Sequence, residues 1–156
     1  MDWVSGIFGV GDMNEYEIDP LCKWLLERIF SSEEKIISHL ELNFHNRLSC
    51  DLSLLAFAIF QILMNGKESM KGGGDIYIKT FGDHGNYNLI ITDTGEGFSP
   101  EIRKKLFTGP VSTKPGCMGY GLYFVKMILG ALNGNIHFRS HLNRGTEVSV
   151  IIPLIS

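Results

Sequence analysis

The chain has 156 residues, 44% of them apolar and 20% charged, with a formal net charge of −3 and a pI near 5.9. That is enough chain for one domain with a real core, and its charge gives no support to nucleic-acid binding through a broad basic face. No apolar run approaches the roughly 20 residues of a membrane span. The start, "MDWVSGIFGVGDMNEYE", lacks the basic stretch of a signal peptide. Cys22, Cys50 and Cys117 are odd in number and show no C-x-x-C spacing. They argue against a disulfide framework or a zinc site, and a reducing cytoplasm fits them.

Residues 1–18 are Gly-rich and weakly patterned, and read as an arm, a linker remnant or an extra strand; the folded domain is expected over 19–156. Asp19-Pro20 reads as an N-cap with proline at the first helical position, followed by "LCKWLLERIF". "KIISHLELNF" alternates as a strand does. Asp51 is placed to cap "LSLLAFAIFQILMNGKESM", which "KGGGD" closes. "DIYIKTFG" and "YNLIITD" read as strands joined by the hairpin signal "DHGN". "SPEIRKKLF" is a short helix with Ser99 as cap, and "TGPVSTKPGCMGYG" a loop. "LYFVKMILGAL" is a helix ended by Asn133-Gly134, and "NIHFRS" and "TEVSVIIPL" are closing strands joined by "HLNRG". Hairpins imply a mixed, mostly antiparallel sheet. With apolar helices on one face, the fold class is α+β, a two-layer sandwich.

Three stretches can carry chemistry. The helix after Asp51 is apolar nearly all round, yet Gln61, Asn65 and Glu68 share one stripe. Such groups either cap backbone in a wet groove or form the polar wall of a ligand site, and an Asn carbonyl is a hard oxygen donor suited to Mg²⁺. "DTGEGF" is either a plain turn or a carboxylate beside a bare backbone against which a flat base can lie. "STKPGCMGYGLYFVK" is either a surface loop or a phosphate site, with Gly116, Gly119 and Gly121 ahead of a helix N-terminus and Lys114 nearby. It is neither a P-loop nor a Rossmann fingerprint.

In this order the three stretches resemble the motifs of the GHKL ATP-binding proteins, which include DNA gyrase, MutL, heat-shock chaperones and histidine kinases. "QILMNGKESM" resembles the N-box, "DTGEGF" the G1 box and "TKPGCMGYGL" the G2 box, while "NRGTEVSVIIP" resembles the end of the domain. Within the group, "STKPG" and "LYFVKMILGALNGNIHFRS" look most like the catalytic domain of two-component sensor histidine kinases. The resemblance implies a Bergerat-type fold, ATP and Mg²⁺ as ligands, and γ-phosphoryl transfer to a histidine on a separate dimerisation domain that passes it to a response regulator. It implies that Asn65 holds the metal, with Gln61 beside it in the catalytic groove. It also implies that Asp93 binds the adenine amino group, that Gly95 and Gly97 shape the adenine pocket and that Thr146 lies near the base. Gly119, Gly121 and Leu122 would stand at the phosphates, with Lys114 as a lid cation.

The departures are specific. Kinases of this group often have Asn where this chain has Gln61, and hydrolytic relatives place a Glu general base there; Gln cannot deprotonate water. Gly66 replaces the usual Ala and weakens the helix by up to ~1 kcal/mol. Cys117 and Met118 interrupt the G2 pattern, and the lid phenylalanine is reduced to Phe107. His39 and His45 read as edge or surface residues, His84 falls in a hairpin turn, and His137 and His141 lie near the last hairpin; none has an acceptor-helix context. The chain is therefore expected to be a kinase domain excised from a longer protein, whether or not that protein is membrane-anchored, and to be monomeric by itself, cytoplasmic and without membrane contact of its own. The alternatives are a stand-alone serine kinase resembling anti-sigma factors and a degenerate nucleotide-binding interaction module.

Overall fold

A computed structural model of the chain describes residues 15–32, 35–106 and 121–154. In chain order the elements are β1 (Glu15–Glu17), α1 (Asp19–Phe30), β2 (Ile36–Leu42), β3 (Arg47–Ser49), α2 (Leu52–Ser69), β4 (Gly74–Asp83), β5 (Asn86–Asp93), α3 (Pro100–Lys105), α4 (Gly121–Ala131), β6 (Asn135–His141) and β7 (Gly145–Pro153). Five strands form one sheet in the order β2-β4-β5-β7-β6. Only β2 and β4 run parallel, joined by the crossover through α2, and the other pairs are antiparallel. One sheet face packs against the helices, as the α+β two-layer expectation required.

The period-2 alternation of the strands sets the buried face. Tyr87, Leu89 and Ile91 point inward from β5, and Val148, Val150 and Ile152 do so from β7. They meet Leu55, Ile59, Ile62 and Leu63 of α2 and Val125 and Leu129 of α4 in one continuous core. Local chemistry ends the elements as the sequence indicates. Asp51 accepts from Leu54 N–H at 3.2 Å, and Ser99 accepts from Ile102 N–H at 3.4 Å. The β4–β5 turn, His84-Gly85, has φ of 51° and 76°, the geometry that matches hairpin twist. Among the described residues no helix is long and apolar enough to cross a membrane.

One expectation changes and one open reading is decided. Asp19 does not cap α1: the N-cap is Ile18, with no side-chain hydrogen bond. The Asp19 carboxylate is buried instead, accepting from Phe44 N–H at 3.0 Å and from the Thr80 hydroxyl at 2.7 Å. A carboxylate removed from water needs such donors more than a helix end needs a cap. Residues 15–18, which the sequence left open between an arm, a linker remnant and an extra strand, enter the fold. Glu15–Glu17 pairs antiparallel with Arg47–Ser49, and Tyr16 and Ile18 are buried.

Cys22 and Cys50 are free and buried. Burial pushes both thiols up to about 12, against a helping hydrogen bond from Tyr87 in the case of Cys22. Near neutral pH both stay protonated thiols rather than thiolate, the reactive form. Iodoacetamide on the folded protein is therefore expected to leave both unmodified by mass spectrometry, and to label both once the chain is unfolded.

Candidate functional site

Asp93 is the last residue of β5 and continues the inward row of Tyr87, Leu89 and Ile91. The register places it opposite Thr146 on β7, and Thr146 opposite Ser140 on β6. Directly opposed residues share a face, so a polar row crosses three strand ends where the apolar core stops. Asp93, Thr146 and Ser140 are all buried. Ser140 Oγ lies 2.9 Å from Thr146 Oγ1 and accepts from Phe98 N–H at 2.8 Å, which fixes the far side of the "DTGEGF" loop.

The near side of that loop is pinned to α2. Asp93 Oδ1 accepts from Gly95 N–H at 2.8 Å and from the Ser69 hydroxyl at 3.2 Å. Glu96 N–H donates to Ser69 O at 3.1 Å. Gly95 sits so close that a Cβ would overlap Ser69 Oγ. Gly97 has φ +68°, and a Cβ there would strike the His141 carbonyl, so both positions require glycine. A methyl at 95 must displace either the end of α2 or Asp93. Gly95→Ala is therefore expected to weaken nucleotide binding by more than about tenfold and to lower stability by about 1–3 kcal/mol. Calorimetric titration and a denaturant melt would check the two effects separately.

The α2 stripe borders this cluster. Gln61 and Asn65 are half-buried and Glu68 is exposed. Gly66 points at the strands: a Cβ would lie 3.0 Å from Ile76 Cδ1 and 3.4 Å from Asp93 Oδ2. The glycine expected only to loosen the helix thus lets α2 close onto Asp93. Gln61 faces the start of α4, its Oε1 3.1 Å from a Cβ placed on Gly121. The N-box stripe and the helix that follows the glycine-rich stretch are therefore adjacent. Leu122 has its side chain in the core, which leaves only its backbone for a ligand. Lys114, Gly119, Cys117, Met118 and Phe107 lie outside the described residues.

Sequence reasoning missed Ser69 and Ser140. Ser69 carried a signal: it stands four residues after Asn65 and continues the inward face of α2 through Ile59, Ile62 and Gly66. Ser140 carried none, since only strand register brings it to Thr146.

A family model described as histidine kinase-, DNA gyrase B-, and HSP90-like ATPase matches residues 50–156. The chain belongs to this ATPase family. Sporulation kinase D of Bacillus subtilis is 32% identical over 107 residues, 69% of this chain and 21% of the relative. Sensor protein RprX of Bacteroides fragilis is 30% identical over 130 residues, 78% of this chain and 25% of the relative. This ATPase domain thus spans about a fifth to a quarter of those sensor kinases' lengths. Its fold matches the mycobacterial sensor histidine kinase MprB with a TM-score of 0.80 at 23% identity, over 92% of this chain and 98% of that one. It also matches full-length ShkA, solved in complex with AMPPNP, with a TM-score of 0.79 at 18% identity, over 97% of this chain and 34% of that one. The chain is an ATP-binding domain of the kind that forms the catalytic part of sensor histidine kinases.

Proposed function

We propose that this domain binds Mg·ATP in the groove bounded by the α2 stripe, the Asp93 loop and the N-terminus of α4, and donates the γ-phosphoryl to a histidine on a separate domain, which relays it to a response regulator. The observation that carries this reading is the buried carboxylate of Asp93 at a strand tip, held by Gly95 N–H, beside a glycine loop too tight for any side chain. A carboxyl acceptor next to glycine backbone suits an exocyclic amine on a flat base. Thr146, opposite Asp93, offers a hydroxyl to the same base.

The donor set fits magnesium. Asn65 supplies one hard oxygen from a half-buried helix position. Among the described residues no group of three or more His, Cys, Asp or Glu could form a protein cage, so a metal there would share phosphate oxygens and waters. Bound in that way, Mg²⁺ would supply charge neutralisation at the phosphates. The first N–H groups of α4 and the dipole of that helix would receive phosphate charge, with Gly119 and Lys114 assigned to the same end. Gln61 can hydrogen-bond but cannot take a proton, which disfavours water as the acceptor. All that remains for the protein is positioning and electrostatics.

The acceptor belongs elsewhere. His39, His137 and His141 lie on strands, His84 in a turn and His45 in a connection; none stands on a helix from which it could present itself to a second copy's groove. A cytoplasmic, monomeric domain without membrane contact of its own is part of the same reading. The test is titration with a non-hydrolysable ATP analogue with and without Mg²⁺. Saturable binding strengthened by the metal supports the reading, and no binding by a folded sample sinks it.

A further inference from the structure

Ser69 lies inside the N-box-like stretch "QILMNGKESM", but the resemblance assigns it no role; its hydroxyl nonetheless reaches the site. Ser69 closes the last turn of α2 and is 9% exposed. Its Oγ lies 2.8 Å from the Gly66 carbonyl and 3.2 Å from Asp93 Oδ1. A serine hydroxyl has one proton to give. At a helix end its ordinary use is to bond back to a carbonyl three or four residues earlier. Here the competing acceptor is a carboxylate, and charge-assisted hydrogen bonds are roughly twice as strong as neutral ones. The backbone also holds Ser69 against the loop, because its carbonyl takes the Glu96 N–H at 3.1 Å.

We propose that Ser69 is a positioning residue for base recognition: its hydroxyl and the Gly95 N–H together fix Asp93 Oδ1, and so set the rotation of the carboxylate against the base. This rests on the reading of Asp93 as the adenine acceptor. Two donors on one oxygen define the carboxylate plane. With the hydroxyl removed, Oδ1 keeps the Gly95 N–H at 2.8 Å and loses the second donor that orients it toward the base. The cost falls on the contact that distinguishes adenine from a base with a carbonyl in place of the amine.

The experiment compares ADP and IDP binding to the wild type, Ser69→Ala and Ser69→Cys at fixed Mg²⁺, with a thermal melt of each. The wild type is expected to prefer ADP, and Ser69→Ala to cut that preference at least about fivefold through weaker ADP binding. Ser69→Cys, close in volume but a weak donor, is expected to fall between them. A serine that only closes the helix would lower the melting temperature and leave the ADP-to-IDP ratio within about twofold of wild type; that result in folded Ser69→Ala overturns the inference. A folded wild type that binds neither nucleotide overturns the Asp93 reading itself, and this inference with it.

Discussion

Asp93→Asn is expected to weaken ADP binding by about ten- to a hundredfold, the range for losing a hydrogen bond to a charged acceptor, and to invert the preference between ADP and IDP. The inversion follows from what surrounds the side chain. Gly95 N–H and the Ser69 hydroxyl both donate to Oδ1, so the substituted amide must keep its oxygen there. Its NH₂ then occupies the other position and meets the adenine amine donor to donor. Hypoxanthine, with a carbonyl at that place, would accept from it. The volume is unchanged and no apolar contact is lost, so the melting temperature is expected to move little. Paired calorimetric titrations with ADP and IDP would decide: an unchanged ratio removes Asp93 from base recognition.

Asn65→Ala is expected to act at the opposite end of the ligand. It should bring the affinity for an ATP analogue in Mg²⁺ down to the value seen with the metal chelated, and leave the metal-free affinity as it was. Asn65 is half-buried on the groove side of α2, where alanine is the better helix former, so the fold should persist. The contrast with Asp93→Asn is the useful part. One substitution should erase the metal dependence and keep the base preference, and the other should do the reverse. A variant of Asn65 that still responds to Mg²⁺ would mean that other ligands hold the metal.

These effects combine residues that the sequence exposed to different degrees. Asp51, Ser99 and the His84-Gly85 turn were legible because their hydrogen bonds or dihedrals are satisfied within four residues. The order of Asn65, "DTGEGF" and the glycine-rich stretch was legible as a resemblance, and the family match over residues 50–156 bears it out. That Asp93 points inward could also be deduced, since the alternation Tyr87, Leu89, Ile91 leaves it no other face.

Tertiary structure alone decided the rest. Asp19 reads as a cap until Phe44 and Thr80, 25 and 61 residues away, are found donating to it. Glu15–Glu17 reads as arm, linker remnant or strand until Arg47–Ser49 comes alongside. Ser140 has no local pattern that marks it and joins Thr146 only through the β6–β7 register. Gly66 reads as a helix defect until Ile76 and Asp93 are seen against it. The sequence by itself determined which residues could carry the chemistry and which local turns and caps would form, because those depend on neighbours a few bonds away. The Gly95 N–H is a local donor two residues from Asp93, but that the Ser69 hydroxyl also reaches the carboxylate was decided by the packing of α2 on the sheet, because a buried polar group takes its partners from whatever the fold brings within about 3 Å.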